Sequence, residues 1–411
     1  MASPTKLLLV SCSDRETRDL SQRIFDILRE DYGMGSHVEL LQSRRVSEVD
    51  PEVAKGFRSP LVADFFVDGE VQIDVGMNEL KDTIRGKHVA LVEHLLTPVR
   101  RMFEDSSDYT QMVSVNDHLK TVHGMLDVFR NVDTLQRTLV APYLTYVRSH
   151  SIEKYLKRGL AQYDSLKELL EDFQRKGFNA LVAIDLHSMK ASTKAEDLQM
   201  DVHMANPFQS GRAINVYKLG LSGEKAARVL TRLRPFQERF AQLKKDNPDH
   251  LYVISVDDGT ETKTENFVER AFPELPPEEV YARIAYLDKE RINYRDTKTS
   301  FKAFSRINEG NIDSHGTFII IDDMYASSDT ANKAARIFKE HGARRVEVWT
   351  SHPVTMPMQH GKANDRNYID KVVCLNTVPQ HPNLQIECIP ASADLLAAGL
   401  YKAHQKLVAS R

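Results

Sequence analysis

The stretch 318-FIIIDDMYASSDT-330 decides how the rest of the chain is read. Four apolar residues run into two carboxylates, Asp322 and Asp323, then a turn of small residues, then a helix start. An unbroken apolar run, not an alternating one, is what a strand buried on both faces shows. Carboxylates at the carboxyl end of a parallel strand can accept hydrogen bonds from vicinal sugar hydroxyls. The turn that follows, with amides facing outward at a helix N-terminus, can hold a phosphate. The plain alternative is a strand end whose acids only cap the next helix.

Outward from this stretch the same grammar recurs. The runs 6-KLLLVS-11, 88-HVALVE-93, 138-TLVAPY-143 and 180-ALVAID-185 read as buried strands, as do 251-LYVISV-256, 345-RVEVWT-350 and 371-KVVCLN-376. Helical patterns lie between them, such as 163-YDSLKELLEDFQRKG-177 and 329-DTANKAARIFKEHG-342, the latter with Gly342 at a C′ position. Strands alternating with helices predict an α/β fold of mostly parallel sheets flanked by helices. With 411 residues the chain is long for one core, so two domains are expected, 1–200 and 201–411. The polar stretch 191–212 reads as irregular, 222–246 as one charged, exposed helix, and the cation-rich 288–311 as a loop or hairpin.

Composition narrows the class. Hydrophobic residues make up 41% and charged residues 27%, an ordinary globular balance. A net charge of −3, with bases interleaved among acids, offers no field for nucleic acid. Cys12, Cys374 and Cys388 are odd in number and lack metal-site spacing, which favours a reducing compartment over a disulfide framework. The start, 1-MASPTKLLLVSCSD-14, reads as a first strand, not a signal peptide, and no run reaches transmembrane length. The expected address is the cytoplasm, with no membrane partner.

Two further strand ends carry acids, 183-AIDLHS-188 and 254-ISVDDGT-260. Each alone reads equally as a surface turn, but three such ends in one α/β chain point to a Mg²⁺–nucleotide site. In 288-DKER-291, Lys289 and Arg291 alternate, so an extended backbone puts both cations on one side, where they could clamp a transferring phosphoryl group. A solvated surface run is the alternative. The chain has no GxxxxGK[ST], GxGxxG, GxSxG or HExxH motif.

In order, these pieces resemble ribose-phosphate diphosphokinase, the phosphoribosyl pyrophosphate synthetase family. The resemblance takes in 65-FFVDGEVQIDV-75, 84-IRGKHVALVE-93, 115-VNDHL-119, 142-PYLTYVR-148, 184-IDLHS-188, 254-ISVDDG-259, 288-DKER-291, 319-IIIDDM-324, 350-TSHPV-354 and 375-LNTVPQ-380. Each motif is weak; their shared order is not. The resemblance implies two type I phosphoribosyltransferase-like domains. It also implies transfer of the β,γ-diphosphoryl group of Mg·ATP to the anomeric hydroxyl of ribose 5-phosphate, with Mg²⁺ as cofactor. By the same resemblance Phe66, Asp68 and Glu70 contact the ATP base across a subunit boundary, with Arg148 nearby. His187 and Asp257 serve the metal and the ATP phosphates. His187 joins Lys289 and Arg291 in catalysis, the latter two on a mobile loop. Asp322 and Asp323 hold the ribose hydroxyls, and Ala326, Ser327, Ser328, Asp329 and Thr330 form the acceptor loop. A homo-oligomer built from dimers, up to a hexamer, is likewise implied.

The departures from the family pattern lie at the same places. The acceptor loop normally reads Asp-Thr-x-Gly-Thr; here an acid is lost at Ala326 and one gained at Asp329 in place of glycine. Glycine lets a backbone approach phosphate closely, whereas a carboxylate repels a dianion. Asp329 otherwise reads as the cap of a helix starting at Thr330. Ser149 and His150 replace Gln-Asp after Arg148, and Thr260 replaces the second glycine after the Asp257–Asp258 pair. Extra residues fall around 98–112 and 190–250. Two alternatives therefore stand beside diphosphoryl transfer to ribose 5-phosphate. One is the same chemistry with ADP-ribose as acceptor, as in NAD-rebuilding pathways; the other is a non-catalytic regulatory homologue.

Overall fold

The computed structural model describes the chain except residues 1–4, 12–13, 45–60, 66–69, 77–78, 101–110, 149–155, 157–158, 160, 162, 187–188, 209–220, 292–296 and 381. Within elements, the side chains of 64–65, 79–80, 98–100, 111–113, 189–192, 289–291 and 297–298 are also outside the description. The chain forms two compact units, each built on its own sheet.

The first unit holds a six-stranded sheet in the order Asp201–Ala205, Ala180–Ile184, Gln136–Ala141, His88–Val92, Leu7–Ser11, Val38–Gln42. Every pairing is parallel. Leu7–Ser11, His88–Val92 and Ala180–Ile184 are buried at every position, as their unbroken apolar runs require. The chain leaves Leu7–Ser11 toward Val38–Gln42, then returns on the other side to His88–Val92. The winding therefore reverses between Leu7–Ser11 and His88–Val92, and ligand crevices of open α/β sheets form outside strand ends at such a reversal.

The division of the chain differs from the expected 1–200 and 201–411. Strand Asp201–Ala205 completes the first sheet, and the C-terminal helix Ser392–Ala409 packs on it and on Arg15–Glu30. The helix buries Leu395, Leu396, Ala397, Ala398 and Leu400, so its apolar surface needs cover that sequence order does not reveal. The expected irregular stretch 191–212 overlaps the helix Met189–Asp197 and contains this strand.

The second unit holds seven strands in the order Thr297–Phe301, Ile284–Arg291, Leu251–Ser255, Thr317–Tyr325, Arg345–Pro353, Lys371–Leu375, Glu387–Ile389. All pairings are parallel save Ile284–Arg291 with Thr297–Phe301. Here the winding reverses between Leu251–Ser255 and Thr317–Tyr325. Phe318, Phe338, Val346 and Val348 pack together in a buried core. The other face of Arg345–Pro353 presents Trp349, set among Phe236, Phe240 and Phe267. Phe236 and Phe240 belong to the stretch expected to be one exposed helix. It is two helices, Gly223–Arg232 and Pro235–Asp246, separated where Pro235 opens the second.

Candidate active site

The site of the second unit grows from its central strand, Thr317–Tyr325. Apolar side chains carry the strand into the core as far as Ile321; Asp322 is half-buried, Asp323 buried. The Asp323 amide donates to Asp322 Oδ1 at 2.8 Å, which fixes that carboxylate against its own backbone. Asp257 follows the adjacent strand across the winding reversal, near enough to act on Asp322. Burial, then the charges of Asp323 and Asp257, push the Asp322 carboxyl well above the usual carboxylate range. Such a group favours folding when protonated. Its contribution is present below the ordinary carboxylate pKa and is lost as pH rises toward the elevated value. Asp322→Asn is therefore expected to raise the melting temperature in chelator at pH 7 by a few degrees, with the gain shrinking toward pH 4. Calorimetry checks this, and a lower melting temperature for the variant at pH 7 contradicts it.

Asp257 sits in a tight turn opening the helix Glu261–Ala271. Its carboxylate accepts the Thr260 amide at 3.2 Å. The buried Thr260 hydroxyl accepts the Val256 amide at 3.1 Å and bonds Ser255 Oγ at 3.0 Å. Thr260, a departure from the family pattern, thus knits the turn from its own side chain. Lys302 bonds Asp258 and reaches Glu261 at 2.6 Å, and these partners raise its pKa. Thr260 stands in sequence only as a departure at the end of 254-ISVDDGT-260, and Lys302 belongs to no motif; both act on the backbone or acids of the turn.

The loop expected to take the acceptor runs from Ala326 to the helix Asp329–Glu340. The helix starts one residue earlier than read, and its N-cap is Ser328, not Asp329. Ser328 has a left-handed φ of 65° and makes no side-chain cap bond. Its hydroxyl donates instead to the Lys362 carbonyl at 2.7 Å, while Asn332 Nδ2 donates to Ser328 Oγ at 3.1 Å and to the Asp365 carbonyl at 2.8 Å. Asp329, at the first helical position, is exposed and accepts a bond from the Ser327 hydroxyl at 3.0 Å. The cap reading of Asp329 is therefore corrected. Its carboxylate stands over the loop, in the first turn, where a positive helix terminus favours an anion.

Lys289 and Arg291 lie in Ile284–Arg291, registered against Thr299 and Thr297 of the antiparallel partner strand. The backbone is extended through both, which is the condition the alternation argument required. Of the expected loop or hairpin at 288–311, this antiparallel strand pair supplies the hairpin reading. In the first unit Glu70 is exposed just before strand Val71–Asp74, which pairs with Val62–Phe65. Arg148 is exposed at the end of the turn after Gln136–Ala141. Phe66, Asp68 and His187 lie outside the described residues.

No protein-family model matches the chain. It is 24% identical over 354 residues to the ribose-phosphate pyrophosphokinase of Parasynechococcus marenigrum, covering 84% of each chain. It is 25% identical over 325 residues to that of Shewanella oneidensis, with 78% of each covered, and 23% identical over 316 residues to that of Ralstonia nicotianae, with 76% of each covered. Its fold matches the crystal structure of phosphoribosylpyrophosphate synthetase from Mycobacterium smegmatis, with a TM-score of 0.63 and 15% identity over 98% of this chain and 99% of that one.

Proposed function

We propose, for this divergent member of the ribose-phosphate pyrophosphokinase family, transfer of the β,γ-diphosphoryl group of ATP to the anomeric hydroxyl of ribose 5-phosphate. A bond forms between the anomeric oxygen and the β phosphorus, the α,β-bridging bond breaks, and AMP leaves. The observation that carries this reading is the acid pair Asp322–Asp323 at the winding reversal, followed at once by a small-residue loop opening a helix. Asp322 and Asp323 would accept the vicinal hydroxyls, and the loop 326–330 would receive the 5′ end of the acceptor. Phe66, Asp68, Glu70 and Arg148 would hold the ATP base.

Crowded carboxylates, with Asp257 and Asp323 acting on Asp322, fit a hard divalent cation that takes oxygen ligands. Asp257, with His187, would hold Mg²⁺ and the ATP phosphates. Mg²⁺, when bound, offsets the charge of the triphosphate. A second reading, ADP-ribose as acceptor, is favoured by one feature. Asp329 stands over the loop, and a 5′ diphosphate diester carries less charge there than a phosphate dianion.

AMP is the expected nucleotide product. Incubating the protein with Mg·ATP and each ribose acceptor in turn, and separating the nucleotides, tests this directly. ADP together with a singly phosphorylated sugar would reject the diphosphoryl transfer. AMP formed with one acceptor and not the other separates the two readings. Among the described residues no helix is long and apolar enough to cross a membrane.

A further inference from the structure

The winding reversal of the second unit carries the acid site described above; the corresponding crevice of the first unit carries a different cluster. Asp14, three residues after strand Leu7–Ser11, Glu93, directly after the neighbouring strand His88–Val92, and His118, in the helix Val115–Phe129, converge there. Their exposures are 1%, 0% and 1%, and one ligand atom from each lies within 4.8 Å of the others. His118 Nδ1 approaches Glu93 Oε1 to 2.6 Å.

We infer that Asp14, Glu93 and His118 form a binding site for one divalent transition-metal ion of the Zn²⁺ or Mn²⁺ class, separate from the ATP-linked Mg²⁺. One imidazole and two carboxylates are the donors such borderline ions take, whereas Mg²⁺ prefers oxygen and keeps its waters. Bonds of about 2.0–2.2 Å from one ion to each donor replace the direct His118–Glu93 hydrogen bond, whose two atoms, 2.6 Å apart, must separate to admit the ion.

The surroundings hold the ligands in place. Asp14 caps the helix Arg15–Glu30, its Oδ1 accepting the Thr17 amide at 2.7 Å, and its Oδ2 accepts the Thr97 hydroxyl at 3.4 Å. Outer partners of this kind orient ligating carboxylates. Sequence spacing could not reveal the site, because its ligands come from the ends of two strands and a distant helix.

The test uses the full-length, tag-free protein and does not depend on its acceptor. The protein is stripped with chelator, refolded with Zn²⁺ or Co²⁺ in excess Mg²⁺, desalted, and measured for metal content and melting temperature. Wild type should retain one Zn²⁺ or Co²⁺ per chain, melt at higher temperature with metal than without, and show visible absorption with Co²⁺. His118→Asn should lose the ion. Asp14→Asn keeps a competent helix cap, since asparagine caps as well as aspartate, and should weaken retention by more than the roughly 10- to 100-fold of losing a supporting residue. Wild type that retains no ion and gains no stability overturns the site, whatever the variants do. Folded variants that retain as much metal as wild type overturn it equally.

Discussion

Alanine in place of Lys289 or Arg291 is expected to lower kcat by about 10²- to 10³-fold, the range for removing one preorganised electrostatic donor from a transition state. ATP affinity should stay within a few-fold of wild type, because the two cations serve charge that develops as the β phosphorus is transferred, not charge already present in bound ATP. The strand that carries them is well anchored at its base. The Tyr286 amide donates to Ser305 Oγ at 3.0 Å, and the Tyr286 hydroxyl donates to Glu265 at 3.0 Å. Substitution two or more residues farther along should thus act on the reaction and leave the fold intact. Arg291→Lys should recover only part of the loss, since lysine keeps the charge but not the planar fork. Steady-state kcat and equilibrium ATP binding, measured on each variant, decide the matter. Near-wild-type turnover in both would make the segment a solvated surface strand and remove it from the mechanism.

The parts of the fold legible in sequence were those whose burial leaves an unbroken apolar run. Leu7–Ser11, Thr317–Tyr325 and Lys371–Leu375 announce themselves in this way. Asp201–Ala205 does not. As an edge strand it carries Asp201 and His203, which bond each other at 2.8 Å, and Lys406 of the C-terminal helix reaches Asp201 at 2.8 Å. The polar residues that hid the strand are the ones that fasten that helix to it. The split at Pro235 was missed in the reading of 222–246 as one helix, and the burial of Phe236 and Phe240 was not legible at all. It depends on contact with Trp349, more than a hundred residues later in the chain.

The candidate site divides along the same line. Asp322, Asp323 and Asp257 could be read because a strand end followed by acids is a local pattern. The part played by Thr260, visible only as a departure, and by Lys302 could not, since both hold a neighbouring turn through contacts that only the folded chain makes. For Asp329 only the alternative cap reading is corrected, since Ser328 is the N-cap. Whether a carboxylate caps a helix or stands one residue inside it turns on the φ of Ser328, a property that a serine does not advertise.

That role leads to the acceptor. Asp329→Gly is expected to raise kcat/KM for ribose 5-phosphate by roughly 10-fold while changing that for ADP-ribose little. Two unit charges about 4 Å apart interact by roughly 4 kcal/mol at an effective dielectric near 20. Asp329 is exposed, so solvent screens much of this, and a residual of about 1.4 kcal/mol corresponds to the tenfold change. The carboxylate is not withdrawn into a cap. The Ser327 hydroxyl holds it at 3.0 Å on the loop that would receive the 5′ group. A phosphate dianion meets that charge in full, whereas the 5′ diphosphate diester of ADP-ribose presents less charge on each phosphorus. Glycine also allows the backbone to approach the phosphate more closely. The substitution should lower helix stability by about 0.5–1 kcal/mol, through glycine's poor propensity and the lost first-turn acid, so the kinetics are compared well below the melting temperature. The deciding measurement is kcat/KM for both acceptors in wild type and variant. A wild type already efficient with ribose 5-phosphate, and unimproved by glycine, would show that the Asp329 charge has no part in choosing the acceptor.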